Sequence, residues 1–491
     1  MANKNYLTSI TKTKLRLILL FFLAISPFLI FSSFLFLKDP LTWPDEGIFL
    51  DIANNLNTHG TLSTTLFKDA VPGLSKHAYW YPPLYFYALS IWTKAFGTSI
   101  ISIRTLSVLI GIFSLATFFF LAEKLLKSGL YSALATAIIA IDPNFNQSAR
   151  MARMEILVFL FMLISFLIYQ TASKSNNKRA LIYSGIFSSL AMVTHLIGIL
   201  APAIIIPTII ASSRKLTEKI KTIVLFAIPI VAVILAWLST VIGNLNIFLS
   251  QMELQFAKKA TTKSWIYYRW NDGQWQILIV LCLIAILIFG FYTYKNRSHE
   301  NYFLLIGIIV SIFLVITGKV QWYFIFFQPF MALILTSLFK YARESSNIIL
   351  QSGLNILLLI IVFINFNLIF SKLILFNRVN YSYSHYSSSI LENIEPKNTV
   401  FLSVIPDPYL EIRNKNGLKF YEFPTMDVTL EKYKSMLDSS DYVVQNVSLV
   451  YPEYTSKYLS KNSLWEKTAG ENAGYKTKIY KLKPPAQRDS S

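Results

Sequence analysis

The chain has 491 residues, of which 54% are hydrophobic and 14% are charged, and its formal net charge is +19. Soluble domains carry about 25% charged residues, so this composition excludes an ordinary water-soluble fold and also disordered, collagen-like and disulfide-rich chains. The single cysteine, Cys282, lies inside an apolar run, which excludes an intramolecular disulfide and a zinc–cysteine cluster. The positive charge can indicate nucleic-acid binding or membrane topology, and the positions of Lys and Arg decide between the two.

Long apolar runs dominate the first three quarters of the chain. A run of about 17–25 apolar residues predicts a transmembrane helix, because the hydrocarbon layer is about 30 Å thick and a helix rises about 1.5 Å per residue. We predict eleven such spans, at approximately 15–37, 102–122, 128–145, 154–170, 180–197, 198–213, 220–243, 274–294, 301–317, 320–339 and 347–370. The first is too long for the apolar part of a secretory signal and lacks a small-residue cleavage site, so we interpret it as an anchor.

Charge parity decides two ambiguous segments, because basic short loops stay in the cytoplasm. The apolar run 181–212 lies between two basic clusters, so it must cross the membrane twice, as a hairpin turning near 195–198. The aromatic segment 79–96 is interpreted as interfacial or re-entrant, because a span there would put Lys124 and Lys127 outside. The amino terminus is then cytoplasmic and the carboxyl terminus extracytoplasmic. Most of the excess positive charge lies in cytoplasmic loops, which leaves no basic patch for nucleic acid.

Two extracytoplasmic regions are large enough to carry chemistry: the loop 38–101 and the tail 371–491. The tail alternates short apolar runs with amphipathic ones. The predicted strands are 399–404, 418–423, 442–444 and 475–482, and the predicted helices are 431–437 and 453–459. The fold class that we predict is an α-helical polytopic membrane protein, with about 11 transmembrane helices in residues 1–370 and a small extracytoplasmic α/β C-terminal domain.

The sharpest candidate for chemistry is the adjacent acid pair Asp45 and Glu46, a few residues beyond the first span. Pro44 disfavours helical geometry at Trp43, so the two acids fall in the first turn of a helix that runs through Asn54. Acids there can simply interact with the helix dipole. A carboxylate in a partly dry cleft is also what a general base requires.

Further candidates lie on the same side of the predicted membrane. Each has a structural alternative: an aromatic belt, mutual neutralisation of two charges, a hydrogen-bonded histidine, or a lysine that snorkels. They are Lys76 and His77 with the aromatic stretch 79–87, then Arg153 with Glu155, His195, and Lys319 with Tyr323. The span centres carry few ionisable groups, unlike those of an ion-coupled transporter. Acids beside cations favour an enzyme that deprotonates a hydroxyl and holds a phosphate.

These stretches resemble the membrane-embedded GT-C-type glycosyltransferases, in particular the group of protein O-mannosyltransferases and the lipid A aminoarabinose transferase. The likeness covers roughly residues 10–370. It is carried by Asp45-Glu46, Tyr81-Pro82-Pro83-Leu84-Tyr85, Phe96-Gly97, Arg104, the stretch 150–155, Thr194-His195 and the stretch 319–329. The resemblance implies an inverting transferase that takes a sugar from a polyprenyl-phosphate carrier and delivers it to a hydroxyl on a glycan, lipid or protein.

The resemblance also implies roles for single residues. Asp45 would be the catalytic base, with Glu46 assisting or positioning it, and Arg153 and Glu155 would lie on the acceptor side. The residues that would bind the lipid phosphate or the donor are Lys76, His77, Tyr81, His195, Lys319 and Tyr323. Many relatives have Lys where this chain has His195, and some have Lys next to the two prolines, where this chain has Tyr81. Relatives often have Asp where this chain has Glu155.

Several expectations accompany this interpretation. No metal cluster is evident and no cofactor is required, although a divalent cation bridging acids and phosphate is possible. We expect a multi-pass protein of the plasma membrane whose partners are the lipid-linked donor, a hydroxyl acceptor and the bilayer. The alternatives are a lipid-linked sugar flippase or other transporter, an oligosaccharide transferase that uses a diphosphate carrier, and a binding protein whose outer domain recognises cell-wall glycan.

Overall fold

The computed structural model describes residues 2–68, 70–175, 177–261, 273–318, 320–345, 348–379, 381–424, 428–446 and 453–488. Helices dominate this part of the chain. They are α1 (Ala2–Leu35), α2 (Pro44–His59), α3 (Leu84–Phe96), α4 (Ile100–Leu126), α5 (Gly129–Ala140), α6 (Pro143–Arg150), α7 (Glu155–Ser175), α8 (Lys178–Thr194), α9 (Leu200–Ala211), α10 (Leu216–Ser239), α11 (Leu245–Thr261), α12 (Gly273–Lys295), α13 (His299–Gly318), α14 (Gln328–Glu344), α15 (Ile348–Arg378), α16 (Tyr383–Leu391), α17 (Tyr409–Ile412), α18 (Leu430–Asp438) and α19 (Glu453–Asn462).

Each of the eleven predicted spans overlaps a helix, although the span predicted at 320–339 begins with a 3₁₀ helix at Gln321–Phe326. In the described part of the chain, seven helices are long and apolar enough to cross a membrane: α1, α4, α7, α10, α12, α13 and α15. The other four predicted spans overlap the shorter helices α5, α8, α9 and α14, which have 12 to 17 residues, so their crossing of the membrane stays a prediction. The chain is a multi-pass membrane protein, while the inside or outside position of its termini stays a prediction.

The two ambiguous segments have short or interrupted helices. His195 has an extended backbone (φ −159°, ψ 143°) that ends α8, and a 3₁₀ turn at Leu196–Ile199 precedes α9. The break therefore falls where the sequence predicts a turn. Helix α3 has 13 residues, which rise about 20 Å and are too few to span the hydrocarbon. Instead α3 packs on α2, where Ser90 Oγ donates to Asn57 Oδ1 at 2.6 Å.

The C-terminal region forms a five-stranded sheet beside α16–α19. Its strands are β1 (Thr399–Ser403), β2 (Lys419–Glu422), β3 (Tyr442–Gln445), β4 (Ser463–Ala469) and β5 (Thr477–Leu482), in the order β2-β1-β3-β5-β4. Strand β1 pairs in parallel with β2 and β3, whereas β5 pairs antiparallel with β3 and β4. The four predicted strands and both predicted helices of the tail are present.

Strand β4 is absent from the sequence prediction. It is an edge strand whose side chains are mostly exposed or half-buried, so it lacks the apolar alternation that marks a half-buried strand. The division of the chain after residue 370 stays a prediction, since α15 continues through it to Arg378.

The C-terminal region packs directly on the first loop. The Asp407 backbone N–H donates to the Thr42 carbonyl at 2.9 Å, and the Glu422 N–H donates to the Leu66 carbonyl at 2.8 Å. Close packing also occurs at Gly47, where an added Cβ would lie 2.7 Å from the Tyr409 ring. These contacts fix the position of α2, the helix that carries Asp45 and Glu46.

Candidate active site

Helix α2 begins in a way that separates its two acids. Trp43 is the N-cap with extended geometry, Pro44 occupies the first helical position, and Asp45 and Glu46 follow. Proline is well suited to that position because its fixed φ matches the helix and its missing N–H is not needed there. Successive helical residues are rotated by about 100° around the axis, so the two carboxylates project in different directions and find different partners.

Glu46 is fully buried and held on both oxygens. Its Oε1 accepts from Arg104 Nε at 2.9 Å and from the Ala152 N–H at 2.9 Å. Its Oε2 accepts from Arg104 Nη2 at 2.7 Å and from the Trp43 N–H at 3.1 Å. Neither Glu46 nor Arg104 has an exposed side chain (0% each). This geometry favours the positioning role of Glu46 over contact with a substrate.

Asp45 lies in a more open environment, with 16% of its side chain exposed. Its Oδ2 accepts from Arg153 Nη1 in a short ion pair. The same guanidinium donates to Glu155, through Nη2 to Oε1 at 2.7 Å and through Nε to Oε2 at 3.2 Å. Arg153 therefore lies between two carboxylates, and the three side chains together carry one negative charge.

Aromatic rings surround Arg153. The centre of its guanidinium lies 4.9 Å from the Trp322 ring and 5.7 Å from the Phe49 ring. Burial lowers the pKa of Arg153, but the charges of Glu155 and Asp45 raise this pKa by more than burial lowers it, so the net shift is upward. A guanidinium held by two carboxylates and two rings is rigid, which fixes the Asp45 carboxylate that it binds.

A second group of predicted residues adjoins this cluster. The His195 ring centroid lies 5.3 Å from that of Tyr81 and 5.8 Å from that of Tyr323. His195 Nδ1 accepts the Ile197 N–H at 3.0 Å, so Nε2 carries the proton in the neutral ring. Burial raises the pKa of Tyr81 well above its usual value, and the charge of Asp45 adds to that shift. Two phenols and an imidazole N–H thus supply hydrogen-bond donors beside the acids.

Not every predicted residue joins this site. Lys76 is exposed. His77 stacks on Tyr79 at 5.2 Å with nearly parallel rings, and its carbonyl accepts from Gln251 on α11. Among the described contacts, neither Lys76 nor His77 touches Asp45 or Arg153. Lys319 lies outside the described residues, so its role stays a prediction.

The sequence reasoning missed a second buried ion network beside the site. Asp39 Oδ2 accepts from Arg150 Nη2 at 3.1 Å, and Asp39 Oδ1 accepts from Lys372 Nζ at 3.1 Å. Arg150 Nε also donates to the Asp39 carbonyl at 2.8 Å. Arg150 was visible as a charge beside Arg153, but its partner lies 111 positions away, and no local pattern connects the two.

A further pair of acids, also missed, comes from the C-terminal region. Asp407 and Glu422 are buried (0% and 1% exposed) and interact through their carboxyl groups. Burial raises the pKa of Asp407 to about 7 and raises that of Glu422 well above its usual value. Two carboxyl groups in contact share a proton more readily than both ionise, so we expect this buried pair behind α2 to hold a proton.

In the described part of the chain, no group of three or more His, Cys, Asp or Glu side chains is arranged to hold an ion. Asp45 and Glu155 both pair with Arg153. The expectations that no cofactor is required and that a divalent cation is possible stay predictions.

Comparison with known proteins gives a family match and a distant relative. Residues 81–237 match the family model for dolichyl-phosphate-mannose-protein mannosyltransferase. An uncharacterized protein of Aquifex aeolicus is 24% identical over 174 residues, which cover 35% of this chain and 34% of that protein. The chain thus spans about a third of the length of the curated relative that it matches.

Two solved structures are similar over most of the chain. ArnT from Cupriavidus metallidurans, bound to undecaprenyl phosphate, superposes with a TM-score of 0.59 and 11% identity, covering 94% of this chain and 97% of that one. The oligosaccharyltransferase AglB from Archaeoglobus fulgidus, in complex with an inhibitory peptide and a dolichol-phosphate, has a TM-score of 0.59 and 12% identity, covering 88% and 70%. The chain therefore shares the fold of these two proteins over most of its length.

Proposed function

We propose that this protein is an inverting glycosyltransferase that moves a sugar from a polyprenyl-phosphate carrier to a hydroxyl acceptor at the extracytoplasmic face of the plasma membrane. The observation that carries the proposal is the cluster of Asp45, Arg153 and Glu155, in which Asp45 is the most exposed member. The family model and the lipid-phosphate ligands of the two similar structures support the choice of donor.

The acceptor side of the reaction requires a base that is fixed in place. In our proposal Asp45 takes the proton of the acceptor hydroxyl. The hydroxyl oxygen of the acceptor attacks the anomeric carbon of the donor sugar from the face opposite the phosphate. Arg153 orients Asp45, and Glu155 offsets the charge of Arg153, so that the cluster stays negative overall. A base that is held before the substrate binds needs little reorganisation during the reaction.

The donor side requires stabilisation of the leaving group. As the new bond forms, the bond from the anomeric carbon to the phosphate oxygen breaks, and polyprenyl phosphate leaves with the electron pair. His195 Nε2–H and the hydroxyls of Tyr81 and Tyr323 are the donors that we propose for this phosphate, together with Lys319 from outside the described residues. Donors directed at the developing charge lower the barrier most.

The location that we propose rests on charge. Basic clusters such as Lys178 with Arg179, and Arg214 with Lys215, mark the cytoplasmic loops, since short basic loops stay inside. On that topology the site lies at the outer interface, beside a C-terminal domain that is also extracytoplasmic.

The test is a transfer assay of the purified protein with a labelled polyprenyl-phosphate sugar. Asp45→Asn keeps the size of the side chain but removes the base, so transfer should fall by about 10²–10⁴-fold. The matched control is Glu344→Gln, the same change at a 66% exposed side chain on α14, which should leave transfer unchanged. Full activity of Asp45→Asn would remove Asp45 from the role of base. An unchanged anomeric configuration in the product would contradict inversion.

A second candidate is oligosaccharide transfer from a diphosphate carrier. Its support is the likeness to AglB, whose TM-score of 0.59 equals that of ArnT. Supplying the same sugar on monophosphate and on diphosphate carriers separates the two. Transfer from the diphosphate carrier alone would favour this second candidate.

A further inference from the structure

A polar cavity lies between the first loop and the C-terminal region, and the proposed reaction does not use it. Its volume is about 460 Å³, which lies in the range of small-molecule sites. Asp51 and Asn54 of α2 form one wall, and Tyr409, Arg413 and Phe420 of the C-terminal region form the other. Asp51 is six residues beyond Asp45, about 9 Å along the helix axis.

Arg413 makes no direct ion pair among the described residues, although the charge of Asp51 in the same cavity acts on it and partly offsets the lowering of its pKa by burial. Its Nη2 donates to the Thr98 carbonyl at 2.9 Å, while its Nη1 is buried and has no hydrogen-bond partner. Burial lowers the pKa of this guanidinium, as expected for a cation that has lost water. No carboxylate lies within ion-pair distance of Arg413 in the described part of the chain. A partly desolvated guanidinium with an unused donor favours an anionic partner.

Asp51, the acid in the same cavity, is occupied elsewhere. Its Oδ1 accepts from the Tyr409 hydroxyl at 3.0 Å, and its Oδ2 accepts from Thr64 Oγ1 at 2.6 Å. Asp51 therefore stabilises the cavity wall and interacts with Arg413 only at longer range, without a direct ion pair. A second cation, Lys419, lines the cavity with an exposed side chain, so the lining attracts negative charge.

The edge strand β2 adds a backbone donor. The Glu422 N–H points away from β1 towards Leu66. Because alternate residues of a strand direct their N–H groups to the same side, the Phe420 N–H also points away from β1, on the side of the cavity. Amide groups of Asn54 and Asn414 and the rings of Tyr409 and Phe420 complete the lining. Amides suit sugar hydroxyls, and an aromatic ring suits the apolar face of a pyranose.

We propose that this cavity is a binding site for an acidic saccharide, whose carboxylate pairs with Arg413 and Lys419 and whose hydroxyls bind the amides. The site goes beyond the proposed transfer reaction, because binding here requires neither Asp45 nor the lipid donor. It gives the C-terminal region a ligand of its own on the side of the molecule that carries the acids.

The experiment is saturation-transfer NMR on the full-length protein in detergent, with methyl β-D-glucuronide as the probe and methyl β-D-glucoside as its neutral counterpart. The glucuronide should bind at least about tenfold more tightly than the glucoside. Arg413→Gln should weaken glucuronide binding by about tenfold, as expected for the loss of a charge-assisted hydrogen bond. Lys419→Gln should also weaken glucuronide binding. Because the Lys419 side chain is exposed, this variant should stay folded, and its weaker binding would reflect the lost charge.

Two controls separate this site from the reaction. Lys457→Gln removes an exposed cation of α19 that is outside the cavity lining and should leave binding unchanged. Asp45→Asn should also bind the glucuronide normally, so a failure of the proposed transfer activity would leave the cavity proposal intact. Equal binding of the two glycosides, or glucuronide binding that ignores both Arg413→Gln and Lys419→Gln, would overturn the proposal.

Discussion

Asp45 and Glu46 are neighbours in sequence, yet they lie in opposite kinds of environment. Glu46 is sealed between Arg104 and two backbone N–H groups, whereas Asp45 shares Arg153 with Glu155 and keeps 16% of its side chain exposed. The first arrangement satisfies every nearby charge and leaves nothing for a substrate. The second leaves one net negative charge at an accessible edge. The difference shows how the start of one helix can supply both a buried structural acid, Glu46, and the acid that we propose as the base, Asp45.

The largest effect that we expect on stability is at the buried ion pair of Glu46 and Arg104. Glu46→Gln removes the charge that neutralises the buried Arg104, and breaking a buried pair in this way costs about 3–5 kcal/mol. Thermal unfolding in detergent should show a large loss for Glu46→Gln and a small one for Asp45→Asn. Equal losses would mean that the two acids do not differ as their contacts indicate. Glu46→Gln combined with Arg104→Gln should lose less than the sum of the two single variants.

The next largest effect that we expect is on catalysis, at Arg153, which binds the proposed base Asp45. Arg153→Lys keeps the charge but cannot bind Asp45 and Glu155 in the same planar geometry. We expect kcat to fall by about ten- to a hundredfold, because Asp45 is less well oriented, while the KM for the lipid donor changes less. Measured kinetics of Arg153→Lys beside the exposed control Lys457→Gln would test this. A change confined to KM would instead assign Arg153 to donor binding.

A third test concerns the buried acid pair of Asp407 and Glu422 behind α2. Because burial raises the pKa of Asp407 to about 7, the folded protein keeps a proton that the unfolded chain releases from about pH 4 upwards. Stability should therefore fall as pH rises from about 4 to 7, and Asp407→Asn should make this slope shallower. Thermal unfolding at several pH values, with the exposed Glu431→Gln as the control, measures the slope. An identical slope in Asp407→Asn would exclude the shared proton.

The smallest effect is expected at the contact between α2 and the C-terminal region. Tyr409→Phe removes the hydroxyl that donates to Asp51 and keeps the ring that packs against Gly47. A single hydrogen bond of this kind contributes about 1 kcal/mol. The melting temperature of Tyr409→Phe should drop slightly, and transfer activity should hardly change. A large loss of activity would mean that this contact, and not Arg153 alone, orients Asp45.

The sequence predicted the long apolar helices because apolar length is a local signal, while the sides of the membrane on which the loops lie stay a prediction. It also brought Asp45, Arg153, Glu155 and His195 to one side of the membrane before any contact was known. It could not separate Asp45 from Glu46, because their partners are distant in the chain: Arg104 lies 58 positions from Glu46 and Arg153 lies 108 from Asp45. Such pairings depend on how helices pack.

The C-terminal region shows the same limit. Strands β1, β2, β3 and β5 have apolar runs that predict them, whereas β4 depends on pairing with β5. In the sequence, Asp407 and Glu422 cannot be distinguished from the exposed acids of a solvated domain. Their burial follows from the packing of this region on the first loop, and no periodic pattern marks that contact in advance.

The network around Asp39 has a consequence for biosynthesis. Lys372, which binds the Asp39 carboxylate, is 333 residues further along the chain, near the end of α15. The loop that carries the proposed base emerges from the ribosome early but obtains this partner only after the last membrane helix has been inserted. A chain truncated before Lys372 would thus keep Asp45 while lacking one of the charges that hold its loop, so this part of the site is completed only after α15 has been made.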